Sequence, residues 1–163
     1  MLMRSSKILT LAVAFAILAS VVMPIFGVGP VANAAASTEV KIGLLNPSTG
    51  PIAVYAEAFT DAAQLAVDDL NEANTDYTFS LVEADSGCDG TTAASGAQSL
   101  LDDGVVGIAG AACSGATLGA MAVASAGETP MVSYASTSPA ISAVDDGGYL
   151  FRVVPSDAQQ GMA

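Results

Sequence analysis

The sequence GAACSGAT, at residues 110–117, stands between a predicted strand and a predicted helix. The apolar run before it, at residues 105–109, is typical of a buried strand, and the small residues at 118–126 are typical of a closely packed helix. Ser114 is a suitable N-cap, because its hydroxyl accepts hydrogen bonds from backbone N–H groups two or three residues later. The unpaired N–H groups and the dipole at a helix start attract an anion such as a carboxylate. The sequence predicts an anion-binding loop here, with an ordinary strand-to-helix connection as the simpler alternative.

Strand and helix patterns alternate along the rest of the chain. Apolar residues at helical spacing predict further helices at residues 55–71 and 91–103. Strands that alternate with helices form a parallel sheet with helices on both faces, so the predicted fold class is α/β. The other predicted strands lie at residues 40–45, 77–82, 130–134 and 149–154.

Three polar loops follow predicted strands, at residues 46–50, 113–117 and 135–138. In parallel sheets, ligands bind at the carboxyl ends of the strands, where the strand order reverses. We therefore expect these loops to converge on one crevice. That arrangement favours a binding role for the stretch at 110–117.

The first 34 residues have the composition of a secretory signal peptide. Arg4 and Lys7 form a positively charged start, residues 8–28 form a long apolar segment, and Ala-Asn-Ala at 32–34 is a cleavage site. We predict a signal peptide at 1–34, an exported domain at 35–163, and a periplasmic or otherwise extracytoplasmic location. An uncleaved membrane anchor is the alternative, because the apolar segment is long for a signal peptide.

The exported part is strongly acidic. It keeps two basic residues, Lys41 and Arg152, against all 16 acidic residues of the chain, which gives a formal charge of −14. Such a charge argues against nucleic acid and anionic membranes as partners.

Two cysteines remain after the signal peptide, Cys88 and Cys113. In an exported chain a pair of cysteines predicts a disulfide, and two buried free thiols are the alternative.

The residue types needed for common catalytic sites are missing. The chain has no histidine, so it offers neither a Ser-His nor a Cys-His nucleophile pair, and no His/Cys cluster has the spacing of a zinc site. No glycine-rich nucleotide fingerprint follows a strand. We therefore predict no enzyme activity, cofactor or metal. Asp85 and Asp89 flank Cys88, but their spacing is not that of a calcium loop, so a cation site there is a minor alternative.

Six segments match one family in their order and spacing, over about residues 39–163. On these segments the chain resembles the N-terminal lobe of the leucine/isoleucine/valine-binding proteins, which are solute receptors of ABC importers with the type I periplasmic binding fold. The resemblance implies a Rossmann-like lobe and a second lobe, missing from this sequence, that closes with it on one amino acid without a reaction. The segments are VKIGLL (40–45), STGPIAVYA (48–56), ADSGCD (84–89), DDGVVGIAGAACSGAT (102–117), PMVSYASTSP (130–139) and FRVVPSDAQQG (151–161).

The resemblance also implies the ligand contacts. Ser114 matches the residue that binds the ligand carboxylate through its hydroxyl and backbone N–H. Ala135 matches the position whose backbone carbonyl receives the ammonium group. Thr137 matches a residue whose hydroxyl and N–H contact both ends of the amino acid, and Ser136 stands beside it. Tyr55 matches an aromatic residue that packs on the ligand's side chain.

Cys88 and Cys113 match the disulfide of this family. One departure is Tyr134, with Ala135 and Ser136, in place of a more apolar run, which predicts a more polar pocket wall.

The implied partners are a small amino acid and the membrane permease of an importer, with the receptor itself a monomer. Binding of amides or urea, a sensor domain of a receptor, and an enzyme built on the same sheet are the alternatives.

Overall fold

The computed structural model describes residues 37–74 and 76–162. The predicted signal peptide lies outside these residues. None of the helices in the described part combines the length and the hydropathy needed to cross a membrane.

The fold is built on one five-stranded sheet in which every pair of neighbouring strands is parallel. The strand order is β2-β1-β3-β4-β5, so β1 lies between β2 and β3. This architecture confirms the predicted α/β class. The strands are β1 (Thr38–Asn46), β2 (Tyr77–Asp85), β3 (Ile108–Gly110), β4 (Met131–Ser133) and β5 (Leu150–Arg152).

Helices connect the first four strands in turn. Short 3-10 helices at Ala53–Tyr55 and Pro139–Ser142 precede α1 and β5 respectively. The α-helices are α1 (Ala56–Ala73), α2 (Gly90–Asp102), α3 (Ser114–Ala126) and α4 (Asp157–Gln160).

One face of the sheet carries the main core, beneath α2 and α3. Small residues let these two helices approach closely: a Cβ on Gly119 would lie 2.2 Å from the carbonyl oxygen of Gly90. The small-residue composition of α3, noted in the sequence, therefore reflects helix–helix packing. The sheet contributes Leu45, Ile108, Met131 and Leu150 to this core, and the helices contribute Ala93, Ala97, Leu100, Ala116, Ala120 and Ala124.

The opposite face is covered only in part. Successive residues of a strand point to opposite faces, so the neighbours of the core residues lie here. Helix α1 packs over this face, with a groove of about 400 Å³ lined by Leu44, Phe59, Ala109 and Tyr134, together with alanines of α1. Beyond α1, Val132 of β4 and Phe151 of β5 remain 39% and 54% exposed.

Two expectations from the sequence need correction. The third strand begins at Ile108 rather than at Val105. The segment before it still follows β1, through hydrogen bonds from the Val106 N–H to the Lys41 carbonyl oxygen and from the Gly43 N–H to the Gly107 carbonyl oxygen. The predicted apolar face of α1 is also mostly open, with Val67 as its one fully buried residue among those described. The reason is that α1 covers only part of its sheet face and borders the groove.

Candidate functional site

The strand order of the sheet reverses at β1, and the loops at the carboxyl edge lie beside this point. β1 connects to β2 on one side and borders β3 on the other, so the strand order reverses there. In open α/β sheets this reversal point is where ligands bind. The loops after β1, β3 and β4, which the sequence predicted to converge, all lie at this edge.

Ser114 is the first residue of α3 and not its N-cap. Cys113, with φ −90° and ψ 134°, has the extended backbone of a cap residue, and no side chain caps the helix. Because Ser114 already lies within the helix, its hydroxyl is free to contact the next loop instead. Its oxygen accepts a hydrogen bond from the backbone N–H of Ser138, at 3.2 Å. The predicted cap role is therefore wrong, and the hydroxyl joins the loop after β3 to the loop after β4.

This contact fixes the polarity of the Ser114 hydroxyl. Its oxygen is an acceptor for Ser138, so its proton remains available for an outside acceptor. The group also stands at the positive end of the α3 dipole, beside backbone N–H groups that have no partners inside the helix. The arrangement suits a carboxylate without any lysine or arginine in direct contact.

A buried hydroxyl cluster supports both loops. The hydroxyl oxygens of Thr117, Ser133 and Ser136 lie 3.1, 2.7 and 3.2 Å from the carbonyl oxygen of Ala111, within hydrogen-bonding distance. The Ser136 hydroxyl also lies 2.7 Å from that of Thr117, and Ser136 is only 1% exposed. The structure therefore turns the Ser136 side chain into the protein, where it supports the loop instead of lining the crevice. Ala135, in contrast, is exposed.

The loop at 136–138 is held from two further directions. The Arg152 guanidinium, at the end of β5, donates to the carbonyl oxygens of Ser136 (3.4 Å) and Ser138 (2.9 Å). On the other side, the Thr137 hydroxyl donates to the Asp157 carboxylate at 3.1 Å, and the Asp157 N–H donates to the Thr137 carbonyl at 2.9 Å. Thr137 is thus placed by contacts that the sequence analysis did not assign.

Two ties secure the loop after β2. Cys88 and Cys113 form a disulfide with a Cα–Cα distance of 5.2 Å, which confirms the predicted pair and joins the loops after β2 and β3. The Asp85 carboxylate accepts hydrogen bonds from the backbone N–H and the hydroxyl of Thr49 and from the N–H of Gly87. Partial burial raises the pKa of Asp85, but these hydrogen bonds outweigh it and hold the pKa below 3.8.

Asp89, which was considered with Asp85 as a cation site, has a structural role. Its side chain caps α2 by accepting from the N–H groups of Thr91 and Thr92, and these hydrogen bonds lower its pKa. Across residues 37–74 and 76–162, no three His, Cys, Asp or Glu side chains are grouped so that they would hold a metal ion.

An aromatic row leads from the crevice edge to the groove under α1. Tyr55 is 57% exposed, its ring centroid lies 6.4 Å from that of Phe59, and Phe59 lies 5.0 Å from Tyr134. The Tyr134 hydroxyl is buried without a hydrogen-bond partner among the described residues, and burial raises its pKa to about 12. Tyr134 therefore adds its ring to an apolar groove, and the expected more polar pocket wall does not result from this residue.

Sequence reasoning missed the roles of Phe59, Arg152 and Asp157. Phe59 has a signal in hindsight, because it follows Tyr55 by one helical turn. Arg152 and Asp157 lie within a segment that the resemblance quoted, but no sequence pattern indicates that their side chains reach the loop after β4.

A parallel sheet whose polar loops follow its strands at the point where the strand order reverses has the architecture in which open α/β domains bind ligands. The chain belongs to the periplasmic binding protein family, whose model matches residues 39–163.

Two proteins show what the chain is similar to. The leucine-, isoleucine-, valine-, threonine- and alanine-binding protein of Pseudomonas aeruginosa is 31% identical over 130 residues, which cover 77% of this chain and 34% of that protein. The branched-chain amino acid transporter substrate-binding protein LivJ of Streptococcus pneumoniae, solved with isoleucine, is 31% identical with a TM-score of 0.67. The match covers 74% of this chain and 35% of LivJ. The chain thus spans about a third of the length of these relatives.

The same fold has also been solved with a ligand that is not an amino acid. A solute-binding protein of an ABC transporter from Rhodopseudomonas palustris, solved with 3,4-dihydroxybenzoic acid, has a TM-score of 0.65 at 24% identity. The match covers 74% of this chain and 33% of that protein. At this identity the likeness concerns the fold alone.

Proposed function

We propose that this protein is the extracytoplasmic solute-binding receptor of an ABC importer and that it binds branched-chain or other small amino acids for uptake. The observation that carries the proposal is the orientation of Ser114. Its hydroxyl accepts from Ser138, keeps its proton for a ligand, and stands at the start of α3 in the loop cluster of the carboxyl edge. A carboxylate is the ligand group that this arrangement suits best.

In this proposal, residues 35–163 form the N-terminal lobe of a two-lobed receptor, and residues 1–34 are the signal peptide that exports it. The opposite wall of the ligand site belongs to the second lobe, as in a hinge closure around a ligand. The partial cover of the sheet face at Val132 and Phe151 supports a lobe that packs against further protein. The protein works as a monomer that delivers its amino acid to a membrane permease and catalyses no reaction.

The proposed ligand contacts are those that the resemblance implies. Ser114 binds the carboxylate, the backbone carbonyl of Ala135 and the hydroxyl of Thr137 receive the ammonium group, and Tyr55 packs on the ligand's side chain. Ser136 holds the loop from inside through the hydroxyl cluster at Ala111.

A ligand panel tests the proposal on the full-length exported protein. We expect calorimetry to show binding of leucine, isoleucine or valine, and weaker or no binding of 4-hydroxybenzoate, urea and a short aliphatic amide. 4-Hydroxybenzoate, urea and the amide each lack the ammonium group, the carboxylate, or both groups of an amino acid. Binding of the aromatic acid or the amide, with no binding of any amino acid, would overturn the proposed ligand class.

A further inference from the structure

β2 forms one edge of the sheet, and part of its backbone points away from β1. In a parallel ladder, alternate residues of a strand bond to a given neighbour. The N–H of Thr38 donates to the carbonyl oxygen of Asp76, so Asp76 and the even-numbered residues of β2 bond to β1. The same alternation appears on β1, where Lys41 and Gly43 bond towards β3. The N–H and C=O groups of odd-numbered residues of β2, Phe79 among them, therefore point to the open edge.

The side-chain amide of Asn71, in the last turn of α1, covers this open edge at Phe79. Its Oδ1 accepts a hydrogen bond from the Phe79 N–H at 2.7 Å, and its Nδ2 donates to the Phe79 carbonyl oxygen at 2.9 Å. A further strand that paired with β2 would need the same two backbone groups. Asn71 therefore occupies the place of a neighbouring strand, and both groups of Phe79 are satisfied within one chain.

The strand behind this contact has the composition of an edge that associates with itself. Residues 77–82, YTFSLV, contain no charge, no proline and no glycine, and are rich in residues that favour strands. The rings of Tyr77 and Phe79 lie 6.4 Å apart on one face, and Tyr77 is 48% exposed. A long, uncharged edge strand of this kind is a template for pairing with another chain.

We propose that Asn71 is an edge-blocking residue, which prevents strand pairing at β2 and thereby keeps the protein from associating with a second copy of itself. The partner that fits the edge is the β2 strand of that second copy. Two such uncharged segments would pair as antiparallel strands about a twofold axis. The inference goes beyond the proposed function, because it concerns the edge of the sheet and does not depend on the solute that is bound.

The oligomeric state of the full-length exported protein tests the inference without any ligand. Asn71→Ala opens the backbone groups of Phe79, so we expect the mass measured by analytical sedimentation to rise with concentration towards twice that of the wild type. Asn74→Ala is the matched control. It removes the same amide at the end of α1, where the Asn74 side chain donates to the Leu70 carbonyl oxygen of its own helix. The wild type and Asn74→Ala should remain monomeric.

A second substitution separates strand pairing from general destabilisation. Thr78→Lys places a charge on an exposed position of β2 and keeps the backbone bonds to β1, and lysine on an edge strand disfavours pairing. Added to Asn71→Ala, it should return the protein to a monomer without restoring the melting temperature.

Four results would overturn the inference. They are a dimeric wild type, a monomeric Asn71→Ala, a dimer that persists after Thr78→Lys is added, and an Asn71→Ala variant that does not fold with or without Thr78→Lys. The last three would leave Asn71 as a structural contact between α1 and β2. Because no ligand is used, none of these results bears on the proposed binding of amino acids.

Discussion

Tyr134 and Ala135 are neighbours with opposite environments at the end of β4. The Tyr134 ring packs against Phe59 and has its hydroxyl buried without a partner among the described residues, whereas Ala135 is exposed at the crevice. A buried hydroxyl that makes no hydrogen bond lowers stability, because its hydration is lost without replacement. The Tyr134 ring thus stabilises the fold by packing, and its phenolic oxygen lowers the free energy of unfolding.

Replacing Tyr134 by phenylalanine should therefore stabilise the protein. We expect the free energy of unfolding, measured by chemical denaturation, to rise by about 1 kcal/mol. Because burial raises the folded-state pKa to about 12, above the unfolded value of 10.0, the wild type should also lose stability as the pH rises between these values, and Tyr134→Phe should lose less. Tyr77→Phe, at a half-exposed tyrosine, is the control. A destabilised Tyr134→Phe variant would show that the hydroxyl has a partner.

At the scale of elements, the loops after β1 and β2 are joined by a short latch. The Asp85 carboxylate binds Thr49 and the N–H of Gly87, and the two loops approach so closely that a Cβ on Gly50 would lie 2.2 Å from the Gly87 carbonyl oxygen. Gly50 also has a φ of +89°, which favours glycine. The latch holds the entrance to α1, and with it Tyr55, against the rest of the edge.

The latch should weaken in acid. The folded-state pKa of Asp85 lies below its unfolded value of 3.8, so the stability it contributes is present above that pH and lost as the pH falls through the folded pKa. We expect Asp85→Asn to have a lower melting temperature than wild type at neutral pH, and the gap to narrow as the pH falls below about 4. Asp61→Asn, on the exposed side of α1, is the control. A gap that stays constant with pH would mean that the carboxylate charge does not hold the latch.

The sequence predicted the elements better than the contacts between them. The order of strands and helices follows from apolar periodicity, which is local, and the structure confirms the parallel α/β sheet. The small buried area of α1 could not be predicted from the sequence, because apolar residues at helical spacing do not indicate how much of a sheet face the helix covers. The roles of Arg152 and Asp157 also did not follow, since each reaches a loop at least 14 residues away in the chain.

At the scale of the whole molecule, the few basic side chains are placed away from direct contact with a ligand. Of the two basic residues beyond the predicted signal peptide, Arg152 lies at the carboxyl edge and holds the loop at 136–138. The Lys41 ammonium group donates a hydrogen bond to the carbonyl oxygen of Asp103, away from that edge. The candidate site is therefore formed by hydroxyl groups, backbone N–H groups and a helix start, with the one arginine in a positioning role.

The central claim is that the start of α3 binds the ligand carboxylate through Ser114. The most direct measurement is calorimetry of L-leucine with the full-length exported protein and its Ser114→Ala variant, with Ser95→Ala, an exposed helical serine, as the control. A hydrogen bond to a charged group contributes roughly 1.5–3 kcal/mol, so the Ser114→Ala variant should bind about ten- to a hundredfold more weakly, while Ser95→Ala binds like wild type. Equal affinity in wild type and Ser114→Ala, even with a lowered melting temperature, would contradict the claim and leave Ser114 as a loop contact only.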